Sequence, residues 1–193
     1  MKDEGKIMES EMFILEEKCI TSDMVLADRE IETLYKTAFL PAHQVPYNRM
    51  PQYIDGMPLD FLAYYLEGRF VGFLVVWRHA KVNWVWYLAV KEEFRRNGYG
   101  KAILSRYISK HADRPTILER EEELYEFYRK VGFSDTDNVD HYNNGGPDMG
   151  IMVSGDWSLI GGRAGYEEIK ADQTSRVRSV LTGTTRMNID REA

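Results

Sequence analysis

WVWYLAVKEEFRRNGYGKAILSRY, residues Trp84 to Tyr107, changes character twice. Trp84 to Val90 is rich in aromatic and β-branched residues and reads as a strand. Lys91 to Asn97 is polar and charged, so it reads as a loop. From Gly98 to about Ile108 the apolar residues Ala102, Ile103, Tyr107 and Ile108 fall at helical spacing. The junction is Arg95-x-x-Gly98-x-Gly100. Two glycines at a strand-to-helix turn let backbone N–H groups approach a ligand closely, and the helix start adds unpaired donors and a positive dipole end. Arg95, Arg96 and Lys101 add full positive charge. Such a turn suits a phosphate or pyrophosphate. It is neither a P-loop, which needs Lys-Ser/Thr after a longer glycine spacing, nor a three-glycine dinucleotide turn.

The flanking sequence supplies a sheet for this turn. Phe61–Leu66 and Arg69–Arg78 read as a hairpin about Glu67-Gly68, and His79–Val82 turns into the central strand. Simple alternation puts Trp84 and Trp86 on one face of that strand and Val85 and Tyr87 on the other. Arg114–Glu121 reads as a further strand, which can pair in parallel because the helix from Gly98 is the crossover. Glu122–Val131 reads as an amphipathic helix ending at Gly132, followed by strands from Phe133 and over Met149–Val153, with an Asn/Gly-rich turn between. Upstream, Met12–Ile20 reads as a strand and Asp28–Phe39 as a helix capped by Asp28 and stopped by Pro41. Residues 41–60 hold four prolines and read as irregular structure. His43, Tyr47, Arg49 and Tyr53 there suit a small-molecule pocket, and a Pro-rich surface connection is the equal alternative.

The run LAVKEEFRRNGYGKAIL resembles the coenzyme A signature of the GNAT superfamily of N-acetyltransferases, and LYEFYRKVGF further on resembles that family's second signature. The resemblance covers roughly Asp28 to Val153. It implies a GNAT-like α/β (α+β) fold: a mixed, mostly antiparallel central sheet flanked by helices, with the coenzyme site at a strand–loop–helix turn. It implies acetyl-CoA as co-substrate and direct attack by an amine in a ternary complex. Leu88, Ala89 and Val90 would pair with the pantetheine arm. Arg95, Arg96, Asn97, Gly98, Tyr99, Gly100 and Lys101 would form the pyrophosphate turn.

In the family the tyrosine of the second signature protonates the departing thiolate, which here is Tyr128; the alternative is that Tyr128 only packs, with Tyr125 one turn earlier as the substitute. Many relatives carry a glutamate on the central strand as base, but Asn83–Tyr87 has no carboxylate. Glu119 and Glu121, two apart on the next strand and so on one side of it, are the nearest substitutes, and Glu119 is the first choice. Both could instead be solvated or bond a neighbouring helix. Relatives often carry an asparagine where this chain has Glu121, so one coenzyme contact differs.

The chain has 193 residues, 44% hydrophobic and 29% charged, as in an ordinary soluble domain. The division is a flexible N-terminus (1–11), an acetyltransferase domain (12–153) and a C-terminal extension (154–193), for which a dimer arm, a lid or a disordered end all remain open. Tyr166–Leu181 in it has helical character. No apolar run reaches membrane-spanning length, and the charged start MKDEGKIMESE lacks the apolar core of a secretory signal. Cys19 is the single cysteine, which with these features suits a reducing cytoplasm. Four scattered histidines carry no metal spacing. The net charge of −6 argues against nucleic acid and favours a cationic partner. The expected acceptor is a small-molecule amine or an N-terminal or lysine amine of a peptide. A non-catalytic acyl-CoA-binding module on the same fold is the alternative, and a homodimer stays open.

Overall fold

Residues 15–140 and 148–183 are described by the computed structural model of the chain. Their strands are β1 (Glu16–Cys19), β2 (Leu59–Leu66), β3 (Arg69–Arg78), β4 (Asn83–Val90), β5 (Thr116–Arg120), β6 (Ser134–Asp140) and β7 (Met149–Ser154). They form one sheet in the order β1-β2-β3-β4-β5-β7-β6. Every neighbouring pair is antiparallel except β4 and β5. The helices among the described residues are α1 (Ser22–Val25), α2 (Arg29–Ala38), α3 (Met50–Gly56), α4 (Tyr99–Lys110), α5 (Tyr125–Val131) and α6 (Gly162–Thr182). The mixed, mostly antiparallel sheet between helical layers is the architecture expected from the sequence.

Local chemistry explains most element ends. The β2–β3 hairpin turns on Glu67 and Gly68, at φ 51° and 76°, where a two-residue turn matching strand twist needs left-handed backbone. The side chain of Asp28 accepts from the N–H groups of Glu30 (2.9 Å) and Ile31 (3.1 Å), capping α2 as expected. Gly132 ends α5 at φ 112°. Strand β3 is buried along almost its whole length because helices cover both faces. On one face Ile103, Leu104 and Tyr107 of α4 and Tyr128 of α5 pack on Leu74, Val76, Val85 and Leu118. On the other, Ile31, Leu34 and Tyr35 of α2 meet Phe73, Val75 and Tyr87, and Tyr53 of α3 with Tyr166 and Ile169 of α6 meets Trp77, Trp84 and Ile117.

Three expectations need correction. Residues 41–60 are not simply irregular: two 3-10 turns (Pro41–His43 and Tyr47–Arg49) lead into α3, with Pro51 in its first turn, where a missing N–H costs nothing. The helix expected from Glu122 opens as a 3-10 turn, Glu122–Leu124, and is α-helical only from Tyr125. Alternation along β4 breaks at Trp86. Val75 pairs with Tyr87 and Val76 with Val85, so Trp86 is the extra residue of a β-bulge. Tyr87 therefore joins Trp84 and Trp86 on the α2–α3–α6 face while Val85 faces α4. The expected first strand begins at Glu16, and residues 12–14 of it, the N-terminal segment, most of the turn before β7 and the chain beyond residue 183 lie outside the described residues. No described helix is long and apolar enough to cross a membrane.

Candidate active site

β4 and β5 pair only over Asn83–Thr116, Trp84–Ile117 and Val85–Leu118. Beyond that point β4 stays with β3, while Glu119 and Arg120 stay with Ile151 and Gly150 of β7. The two strands part at the Trp86 bulge, and the gap opens a cleft of about 670 Å³. Trp84–Val90 form one wall and Leu118–Glu121 the other, with Phe39, Leu40, His43 and Val45 over one end and Tyr128 inside. The β4 edge at Trp86–Val90 faces the cleft without a strand partner from β5, a geometry that receives an extended chain by backbone pairing.

The turn after β4 is built as the sequence implied. A 3-10 turn, Glu92–Phe94, leads to Arg96 at φ 62° and Gly98 at φ 83°. A non-glycine residue held there costs on the order of 1 kcal/mol, a conformation that only surrounding structure sustains. Asn97 braces the turn, its Nδ2 donating to the carbonyls of Arg95 (3.1 Å) and Phe94 (3.4 Å). The ring of Tyr99 stands edge-on to Phe94 at 5.7 Å. The first hydrogen bond of α4 runs from Ala102 N–H to Gly98 O at 2.9 Å, so the helix's own ladder begins after Lys101. A Cβ on Gly100 would come within 3.3 Å of the Phe127 ring, so this glycine lets α5 press on the start of α4. Arg96, Asn97, Gly98 and Lys101 are exposed. Arg95 folds back, Nε donating to Val90 O at 2.9 Å, and lines the cleft with Leu88, Ala89 and Val90.

Tyr128 lines the cleft with only 8% of its surface exposed. Burial, and then the charge of Glu121, pushes its phenol up to about 12. Tyr125 does not line the cleft; its ring lies 4.8 Å from the Arg120 guanidinium. Arg120 itself, unremarked in the sequence, is buried and paired to Glu122 (2.5 Å) and Asp135 (2.9 Å).

Glu119 and Glu121 both reach the cleft, as their spacing required, but with different partners. The side chain of Glu119 is 10% exposed; it accepts a hydrogen bond from the Tyr166 hydroxyl and lies 3.9 Å from Lys170 Nζ, both on α6. Of the two options for Glu119 other than catalysis, a bond to a neighbouring helix is therefore present. Glu121 lies 3.9 Å from Nδ1 of His43. Of the four pocket candidates in residues 41–60, only His43 lines the cleft; Tyr47 and Tyr53 are buried in the core and Arg49 is exposed. Trp84 lines it and Trp77 is fully buried behind. Sequence reasoning missed Gln173 and Val177 of α6, which also line it. The helical period of that segment was visible, but nothing local says which surface it covers. The cleft thus has a cationic end at the Arg95 turn and an anionic end at Glu119 and Glu121.

Residues 58–135, from β2 into β6, match the family model of the acetyltransferase (GNAT) domain. No curated protein sequence matches the chain. Among solved structures, a GNAT-family acetyltransferase from Bacteroides thetaiotaomicron superposes with a TM-score of 0.65 at 24% identity, over 81% of this chain and 94% of that one. The Escherichia coli ribosomal-protein-S18-alanine N-acetyltransferase gives 0.57 at 17% identity, over 72% and 92%. An aminoglycoside 6'-N-acetyltransferase complexed with coenzyme A gives 0.59 at 14% identity, over 72% and 95%. Identities this low establish a shared fold. The matched segment spans the strand–turn–helix and α5, so this part of the chain is similar to an acetyltransferase (GNAT) domain.

Proposed function

We propose that the protein is an acetyl-CoA-dependent N-acetyltransferase acting on a primary amine by direct attack in a ternary complex. The observation that carries this reading is the parting of β4 from β5 beside the Gly98 turn, with Tyr128 in the same cleft. The residues present fit the coenzyme. The turn from Arg95 to Lys101, with its left-handed Gly98 and helix N-terminus, offers backbone donors and positive charge to a pyrophosphate. The edge of Leu88–Val90 offers backbone pairing to an extended arm. Acetyl-CoA, when bound, supplies the activated acyl group.

The chain's own residues then divide three tasks. A backbone N–H near Val90 polarises the acyl carbonyl as an oxyanion donor does. Glu119 takes the proton that the amine must lose, directly or through one water, and the bonds from α6 fix its orientation. Tyr128 gives its proton to the departing sulfur. Its phenol is protonated throughout the neutral range, so the acid is always loaded. A dry cleft raises the proton affinity of the thiolate as well as that of the phenol, so transfer depends on the difference between two groups sharing one environment.

The anionic end of the cleft attracts an ammonium, in keeping with the net charge of −6. The test is thermal melting with and without acetyl-CoA on the wild type and on Gly98→Glu. At 100 times the dissociation constant, ligand stabilises by about 2.7 kcal/mol. A shift in the wild type that the variant lacks supports the reading; no shift in a folded wild type overturns it. A second reading, a non-catalytic acyl-CoA-binding module, is favoured by the engagement of Glu119 with Lys170 and by a β4 without a carboxylate. Binding of acetyl-CoA with no transfer across a broad amine screen selects it.

A further inference from the structure

We propose that α6, which lies outside the matched 58–135 segment, is the acceptor-side wall of the cleft, and that Gln173 and Val177 on it determine which amines are admitted. This rests on the acetyltransferase reading above and assigns the part of the chain that the domain match does not reach.

The spacing of the helix carries the argument. Tyr166, Lys170, Gln173 and Val177 are four, three and four residues apart, so they form one stripe along α6. The first two members reach Glu119 and the last two line the cleft, so a single helical face runs from the carboxylate to the opening. The helix is fixed there. Tyr166 is fully buried, with its ring 5.4 Å from Trp84 and 6.2 Å from Trp157, and Ile169 and Val180 are buried with it. Its first turn sits against the 3-10 turn Trp157–Ile160, where Gly165 allows contact: a Cβ there would lie 1.5 Å from Ile160 O. Lys81–Glu168 (3.3 Å) and His79–Asp172 (3.8 Å) tie its outer side to the β3–β4 connection.

The chemistry of the wall follows from its side chains. Val177 offers apolar surface and Gln173 an amide to the cleft, which the indoles of Trp84 and Trp86 also line. Side-chain volume at these two positions therefore sets the bulk of the amine's body, while Glu119 and Glu121 receive its charge.

The test does not require a known acceptor. In a Cys19→Ser background, which removes the exposed native thiol, Val177→Cys and Ser175→Cys are compared for alkylation by bromoacetyl-coenzyme A. The thiolate carbon–sulfur bond forms at the α-carbon as bromide leaves, and the thiol proton passes to solvent. Ser175, two residues before Val177, is exposed on the far side of the same helix and serves as the control. The Val177→Cys thiol is expected to react at least tenfold faster, and excess coenzyme A is expected to abolish the difference. Equal rates in a protein that acetyl-CoA still stabilises against melting overturn the wall assignment alone. Absence of that stabilisation instead overturns the acetyltransferase reading on which it rests.

Discussion

The hydroxyl of Tyr87 joins β4 to the loop above the cleft, donating to the carbonyl of His43 at 2.9 Å and accepting from the N–H of Val45 at 3.2 Å. Tyr35 donates to the carbonyl of Val45 at 2.9 Å and stands edge-on to the Tyr87 ring at 5.0 Å. The Trp86 bulge makes this contact, because it turns Tyr87 to the loop's side of the sheet. Tyr87→Phe keeps the ring and removes both bonds, leaving part-buried backbone groups to find other partners. The expected loss is about 1–3 kcal/mol by urea unfolding. With His43 less firmly held, KM for the amine is expected to rise while the acetyl-CoA melting shift stays as in the wild type. An unchanged KM would show that the loop does not shape the acceptor end.

Tyr128→Phe separates chemistry from packing. The phenyl ring preserves the edge contacts to Phe127 at 4.9 Å and Phe133 at 5.9 Å. Loss of a general acid lowers kcat by about 10²–10⁴-fold. Acetyl-CoA affinity, read by calorimetry, is expected to stay within a few-fold of wild type. A variant with full kcat would move the acid elsewhere, whereas Tyr125 does not line the cleft.

Glu119 and the hydroxyl that holds it are tested as a pair. Glu119→Gln removes the base while keeping the shape, and kcat/KM for the amine is expected to fall about 10²-fold or more. Tyr166→Phe removes only the donor to Glu119 and is expected to cost about tenfold, the lower range for a hydrogen bond to a charged group. The two losses should not add in the double variant, because the hydroxyl acts through the carboxylate. Additive losses would mean that Tyr166 serves another function.

What could be read in advance and what could not divides along the range of the interactions. The strand, turn and helix from Trp84 to Tyr107 were legible because their signals are local: aromatic and β-branched content, two glycines, then a helical period. Asp28 and Gly132 were legible for the same reason, since caps act within one turn. The Trp86 bulge was not, because it exists only in the pairing of β4 with β3. Proline count masked α3, whose Pro51 sits in the first turn, where a helix tolerates it. Glu119 was named, but its partners Tyr166 and Lys170 lie on a helix that joins it only in the folded chain. No pattern within either segment announces the other.

Gly72 of β3 governs the edge on which the coenzyme arm would lie. It pairs with Val90, and a Cβ there would meet the carbonyl oxygen of Ala89 at 2.2 Å. The obstacle is backbone, so β4 itself must move. Gly72→Ala is expected to cost about 1–3 kcal/mol, as overpacking does, and to weaken acetyl-CoA binding measurably by calorimetry. Full retention of affinity in a destabilised variant would separate the Leu88–Val90 edge from coenzyme binding.

Buried phenols set the alkaline limit of the fold. Burial pushes the Tyr128 phenol to about 12, and those of Tyr35, Tyr64 and Tyr107 higher still. In the unfolded chain all four ionise near pH 10. Below about pH 9 they are neutral in both states and their contribution does not vary with pH. As pH rises through 10 the unfolded chain releases protons that the fold keeps, so stability falls. Each such group contributes a slope of about 1.4 kcal/mol per pH unit, up to its own folded value. Urea midpoints measured from pH 8 to 11 are therefore expected to be level at first and then to drop steeply. Tyrosinate absorbance from these four residues should appear only with unfolding. Tyr35→Phe removes one of the raised phenols and should make the drop with pH shallower. Ionisation of all twelve tyrosines near pH 10 in a chain that stays folded would show that these phenols reach solvent.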